Sequence, residues 1–243
     1  MKYADKLFEI YKNYMDPQLK RRIQMYVDDE PETIKWIESF SKNSIFYDVG
    51  SNIGGFSIIC NLSNPSVKTY SFEPNFINFF TQVEACKDNK IKNLFPFNVA
   101  INDKNEFNYF KYDWLTKGAK GTFGEVLKEQ MKKSDYSNPF KRGINLEVGI
   151  LGVSLDSLVY DFKLPIPNYL KIDVDGNDFL VLKGAKRLLD EGHIEEILVE
   201  IDDKIYVNGE FNIFMKNYSY EVAMDINVGT NIKPFRMVLY RRV

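Results

Sequence analysis

The sequence predicts an α/β fold in which a mostly parallel sheet of about seven strands is flanked by helices. Three observations carry this. From Ser44 onward, short apolar runs alternate with stretches whose apolar residues recur at helical spacing. The first of those runs ends in a glycine-rich turn that opens directly onto a helix. At 243 residues and 44% hydrophobic, the chain has the size and composition of one large globular domain.

Taken in order, residues 1–43 read as an N-terminal helical cap. Leu7, Ile10, Tyr11 and Tyr14, then Ile34, Ile37 and Phe40, keep helical spacing and are interrupted by Pro17 and Pro31. The main domain then runs over 44–243. Ile45 to Gly50 is a short apolar run ending at a glycine, followed by Phe56, Ile59 and Cys60 at helical spacing, which reads as strand, tight turn, helix. The unit repeats as a strand over Val67 to Phe72, a helix over Asn75 to Lys87 and a third strand over Leu94 to Ile101. This βαβαβ arrangement makes the main domain Rossmann-like. Residues 102–153 break the rhythm and read as an insertion, in which Glu106 to Tyr112 alternates like an exposed strand. Core strands resume at Tyr169 to Val174 and Ile194 to Ile201, around a helix over Asn177 to Asp190, and a terminal pair lies near Tyr218 to Asp225 and Phe235 to Tyr240.

Lys plus Arg (32) nearly balances Asp plus Glu (34), so there is no excess of positive charge for a polyphosphate backbone, and nucleic acid is not an expected partner. Lys128, Lys132, Lys133, Lys141 and Arg142 form a local basic run that reads as a solvated face of the insertion. Cys60 and Cys86 match no metal or redox spacing and read as reduced core thiols. Met1 to Met15 lacks the apolar stretch of a signal peptide, and no segment reaches the roughly 18 apolar residues of a spanning helix. A cytoplasmic location is the expectation.

The strongest chemical signal is Asp48-Val49-Gly50-Ser51-Asn52-Ile53-Gly54-Gly55, between the first strand and its helix. Gly50 and Gly54 permit backbone conformations and close approaches that a Cβ blocks, and the N–H groups at the helix start face outward. Alone, such a turn also serves as a plain βα connection. The second strand ends in Phe72-Glu73-Pro74-Asn75, which puts an acidic side chain 25 residues beyond Asp48, where the hydroxyls of an adenosine ribose need an acceptor. Asn52 occupies the place of the second glycine of a dinucleotide turn and crowds a pyrophosphate, and no P-loop run exists. A cofactor with an adenosine and no phosphate, S-adenosyl-L-methionine, fits best.

These motifs, with Asn98-Val99-Ala100, Ser154-Leu155-Asp156-Ser157-Leu158, Lys171-Ile172-Asp173-Val174-Asp175-Gly176 and Leu182-Lys183-Gly184-Ala185, together resemble the FkbM family of methyltransferases over residues 44–201. The resemblance implies a seven-stranded class I fold and methyl transfer to oxygen, often on a sugar or a polyketide-like natural product. By position it implies that Asp48, Gly50, Ser51, Asn52 and Gly54 line the methionine end. Glu73, with Pro74 and Asn75 beside it, would hold the ribose, and Asn98, Val99 and Ala100 would flank the adenine. Ser51 stands where the family usually has Ala, and Asp175 where it usually has Glu.

Methyl transfer from a sulfonium is an in-line displacement that requires a held nucleophile and a place for its proton. Asp173, Asp175 and Asp178 cluster where the fourth core strand meets its helix, and Glu200 ends the next strand. Asp175 and Asp178 also suit helix capping. Lys171 shares a strand face with Asp173, so it is paired or functional. The catalytic candidates are therefore Asp173, Asp175, Lys171 and Glu200. His193 follows Gly192 in a turn on the far edge and is not one of them. The segment Asp173 to Asp178 differs from a calcium loop, with glycine fourth rather than sixth and no Glu at the twelfth place, so no metal is expected. The Asp/Asn-Pro-Pro-aromatic turn of many amino-group methyltransferases is absent, which favours oxygen. The expected partner is a hydroxyl-bearing small molecule or glycan. The rival readings are a non-catalytic cofactor-binding module, which the intact acidic cluster opposes, and an RNA methyltransferase. The insertion emerges at the carboxyl ends of the strands. With Tyr109, Tyr112, Trp114, Phe123, Tyr136 and Lys117, Lys120, Lys133 it reads as a lid over the acceptor, or as an excursion merely anchored by its aromatics.

Overall fold

The structure is a computed structural model and describes residues 2–112, 114–124, 146–228 and 235–243. A seven-stranded sheet forms the centre: β1 (Ile45–Val49), β2 (Lys68–Phe72), β3 (Leu94–Phe97), β8 (Tyr169–Ile172), β9 (Glu196–Asp202), β10 (Tyr220–Asn227) and β11 (Phe235–Arg242). Its order is β10-β11-β9-β8-β1-β2-β3. The five strands from β9 to β3 run parallel, and β11 inserts antiparallel between β9 and β10. The carboxyl ends of the parallel strands therefore present their loops along one edge, where α/β proteins bind ligands.

One face of the sheet carries α4 (Gly55–Ser63), α5 (Phe76–Asp88) and the three cap helices α1 (Lys2–Ile10), α2 (Pro17–Asp28) and α3 (Pro31–Glu38). Asp16 begins α2 by accepting from Leu19 N at 2.8 Å, with Pro17 in the first turn, where its missing N–H costs nothing. Leu7, Tyr11, Ile23 and Ile37 of the cap join Phe46, Phe56 and Ile59 in one buried cluster, so the cap and the sheet share a core. The other face carries α6 (Leu155–Tyr160), α7 (Asp178–Lys183), α8 (Lys186–Glu191) and α10 (Glu210–Lys216), with the short α9 (Asp203–Tyr206) after β9. Their contacts form a second cluster around Val49, Ile172 and Val199. No helix among the described residues is long and apolar enough to cross a membrane.

Three details differ from the sequence reading. The expected strand 94–101 divides: Leu94–Phe97 stays in the main sheet, while β4 (Ala100–Ile101) turns away to pair with β7 (Leu146–Val153). The exposed Asn98 makes the corner, its carboxamide donating to Glu73 O and Pro74 O. The expected helix 177–190 is broken at Gly184. A Cβ there would lie 2.2 Å from Asn102 O, so a second chain segment runs against the break, and Asp156 accepts from Arg187 N and Leu188 N to cap α8. The insertion builds a second sheet in which β5 (Glu106–Tyr112), as anticipated, lies between β7 and the short β6 (Gly121–Phe123), giving the order β4-β7-β5-β6. Tyr136, Lys133 and the basic run between Lys128 and Arg142 lie outside the described residues.

Candidate active site

The glycine turn is held by the neighbouring strands. Gly50 N and Ser51 N both donate to Phe72 O, at 2.9 and 3.1 Å. Gly50 has φ +79°, and a Cβ on it would sit 1.9 Å from Asp173 O, so only glycine lets β1 and β8 end this close together. Asn52 also takes a positive φ, +53°. The β2 tip answers from the other side: Glu73 Oε2 accepts from Asn52 N at 2.8 Å and Oε1 from Asn75 N at 2.7 Å. Burial pushes the Glu73 carboxyl up to about 8 despite these two bonds.

The β8 tip holds the charges. Lys171 is fully buried, with its ammonium 2.9 Å from Asp173 Oδ2 and 4.9 Å from the centre of the Phe56 ring. Burial opposes its charge, but Asp173, Glu30 and Asp48 together keep it an ammonium. Burial also opposes the charge of Asp173, yet Lys171 and Lys120 hold its carboxyl well below the usual range. Glu200 stands behind it, and burial and the Asp173 charge push its carboxyl well above the usual range, which favours a shared proton between the two. Asp175, in a left-handed turn at φ +55°, is raised by burial and paired with Lys120. Asp178 does not cap α7. It accepts from Val174 N (2.9 Å) and Gly176 N (3.1 Å), bracing the loop, and burial pushes it up to about 7.

A strap from Lys117 to Gly121 crosses this edge. Arg22 of α2 donates from Nε and Nη2 to Gly118 O at 3.1 and 2.7 Å, and Asn78 Nδ2 donates to Ala119 O at 2.8 Å. Lys117 reaches back to Tyr14 O at 2.6 Å. Beneath the strap lie two adjoining, partly open cavities. They share Gly50, Asn52, Lys120, Asp173 and Asp175. The first extends past Phe72, Glu73, Pro74 and Ala100 to Phe110 and Phe123 of the second sheet. The other extends under the cap, past Asp48, Ser51 and Lys171, to Arg22, Tyr26 and Glu30.

Ten of the sequence candidates therefore meet at these cavities: Asp48, Gly50, Ser51, Asn52, Glu73, Pro74, Ala100, Lys171, Asp173 and Asp175. Five stand behind the walls. Gly54 begins α4 in a left-handed conformation against Gln82, Asn75 caps α5 through Ile77 N, Val99 is core, Asn98 makes the corner described above, and Glu200 backs Asp173. His193 is exposed beside Glu191 in the turn before β9, and Cys60 and Cys86 are buried and unbridged. Sequence reasoning missed Arg22, Tyr26 and Glu30 of the cap and Phe110 of the insertion. Among the described residues no three His, Cys, Asp or Glu side chains are arranged to hold a metal ion.

The residues present fit S-adenosyl-L-methionine. A glycine cradle lies next to a buried Asp48 oxygen with no partner, suited to an ammonium, and the Glu73 carboxyl lines the adjoining cavity within reach of a ribose. This sheet order, with a glycine turn after its central strand and an acidic residue at the next strand's tip, defines the class I methyltransferase fold. Comparison with known proteins agrees. The Methyltransferase FkbM domain family matches residues 48–222, and the chain belongs to that family of S-adenosyl-L-methionine-dependent enzymes. Hexuronic acid methyltransferase AglP of Haloferax volcanii is 26% identical over 165 residues, 68% of this chain but only 59% of that relative's own length. Methyltransferase 1 of Beauveria bassiana is 25% identical over 78% of this chain and 77% of its own. The crystal structure of Methyltransferase FkbM from Methylobacillus flagellatus superposes with a TM-score of 0.55 at 13% identity, covering 96% of this chain and 57% of the other.

Proposed function

We propose that the protein methylates a hydroxyl oxygen of a sugar, glycan or small hydroxylated metabolite. Bound S-adenosyl-L-methionine supplies an electrophilic methyl group on a sulfonium. The observation that carries the reading is the pair of carboxylates at the β8 tip, Asp173 and Asp175, whose surroundings push them in opposite directions. Asp173, held ionised by Lys171 and Lys120, keeps a negative charge beside the site of the sulfonium. Asp175, raised by burial and reached through both cavities, receives the hydroxyl proton. Lys120, paired with Asp175, offers a positive charge to the oxygen as that proton leaves. Phe110 and Phe123 give the outer cavity an apolar wall from the insertion, which suits a lid over a sugar ring. The likeness to the hexuronic acid enzyme supports a carbohydrate acceptor.

The test is cofactor turnover against nucleotide sugars, glycans, hydroxylated metabolites and RNA, with and without divalent cation. Turnover is expected with a hydroxylated small molecule or glycan and without metal. Turnover confined to RNA, or none with any acceptor despite cofactor binding, overturns the reading. Asp175→Asn should lower kcat at least tenfold with cofactor affinity unchanged, and Phe123→Ala should lower acceptor turnover about tenfold, or ~1.4 kcal/mol.

A further inference from the structure

The cavity under the cap contains two buried polar atoms that have no partner among the described residues. Asp48 is 1% exposed. Its Oδ2 accepts from Ser57 Oγ at 2.5 Å, while Oδ1 meets nothing. Tyr26, from α2, is 7% exposed, and its hydroxyl is likewise unmatched. A buried polar atom without a partner costs about 1–3 kcal/mol, so folded chains rarely leave one unless something else meets it. Here one atom is a carboxyl oxygen that accepts and the other a hydroxyl that donates, because burial pushes the Tyr26 hydroxyl far above its ordinary titration range.

Tyr26 is not free to turn elsewhere. Its ring packs directly on Gly55, where a Cβ would come within 2.3 Å of it, and stands edge-on to Phe56 with centroids 4.8 Å apart. The Tyr26 ring thus seats this part of α2 on the first turn after the glycine loop. Arg22 lies four residues earlier, one helical turn away on the same face, and lines the same cavity. Among the described residues, two of its five N–H groups are used, both on Gly118 O. The other two cations of the cavity, Lys171 and Lys120, are already paired with Asp173 and Asp175.

We propose that α2 is a cofactor-binding element: Tyr26 and Arg22 take the α-carboxylate of the methionine end of S-adenosyl-L-methionine, opposite Asp48 Oδ1, which takes its ammonium. That end of the cofactor carries one anion and one cation, which are the two things this cavity leaves unmet. The cap therefore does more than cover the core. Residues outside the matched span 48–222 decide whether the amino-acid part of the ligand is recognised. The proposal rests on the cofactor assignment above.

Calorimetry on the full chain tests it with two probes: S-adenosylhomocysteine, and 5′-methylthioadenosine, which keeps the adenosine and thioether but lacks the amino-acid end. The wild-type protein should prefer S-adenosylhomocysteine by at least a hundredfold. Tyr26→Phe and Arg22→Gln should each cut that preference at least tenfold. The ratio is the readout because Arg22→Gln also frees Gly118, which loosens the strap for both ligands alike. Retained 5′-methylthioadenosine binding in Tyr26→Phe certifies that the variant is folded. An unchanged ratio in both variants, or equal wild-type affinity for the two probes, overturns the role of α2. Failure of the wild-type protein to bind either probe overturns the cofactor assignment itself and the proposal with it.

Discussion

The two cavities share a wall but differ in how their polar atoms are spent. On the side of the β2 tip, both Glu73 oxygens accept backbone N–H groups, from Asn52 and Asn75, and the Asn98 carboxamide is committed to Glu73 O and Pro74 O. All of this is drawn from loops adjacent in the sheet. On the cap side, Arg22 and Tyr26 of α2, Glu30 of the turn after it, Asp48 of β1, and Lys171 and Asp173 of the β8 tip converge from distant parts of the chain, and two of their polar atoms are left unmatched. The first region is braced in advance; the second is held by charge and left open at specific atoms. The difference teaches that rigidity and recognition are divided here: the β2 tip is braced from within, while β1 and the cap each leave one buried polar atom open toward the shared cavity.

The contrast breaks most visibly at Lys171. Lys171→Met leaves Asp173, Asp48 and Glu30 without their buried cation, and stability at neutral pH should fall by about 3–5 kcal/mol in urea denaturation. Wild-type stability in this variant would show that the cap side is not held by charge. Gly50 belongs to both cavities, so Gly50→Ala damages both: the left-handed backbone and the contact with Asp173 O should together cost about 2–5 kcal/mol, read as a lower Tm. A smaller loss would mean that the strand tips are less tightly braced than their hydrogen bonds indicate.

The braced side has its own pH signature. Burial raises Glu73 from 4.5 to about 8 and Asp178 from 3.8 to about 7. Both are protonated more readily folded than unfolded, so their stabilisation is complete below about pH 4 and is lost as pH rises through 7 and then 8. Each contributes a slope of at most about 1.4 kcal/mol per pH unit. Glu73→Gln should flatten the upper part of this decline, between pH 7 and 8, in Tm measured against pH. An unaltered profile would remove Glu73 as its source. The smallest effect is expected outside both cavities: His193→Ala, at an exposed turn, should change stability by no more than about 0.5 kcal/mol and leave cofactor affinity untouched. A larger change in either would extend the functional region beyond the two cavities.

The glycine turn and Glu73 were legible because a strand, its turn and the helix after it are consecutive, so the residues that shape the bend stand at fixed spacing. Lys171 and Asp173 were legible for a similar reason, since alternate residues of a strand share a face. Asn98, Val99 and the break at Gly184 were not. The end of β3 and the helix break depend on where residues 98–103 run, a matter of distant packing that no local pattern records. Tyr26 is the sharpest case. Within its own helix it reads as one more apolar position, buried with Leu19 and Ile23. Local sequence alone settled the strand-turn-helix frame and its charged tips, because backbone geometry and side-chain period act over a few residues. Only the tertiary structure decided that residue 26 faces the glycine turn, because that position comes from two helices packing ring against glycine at Gly55.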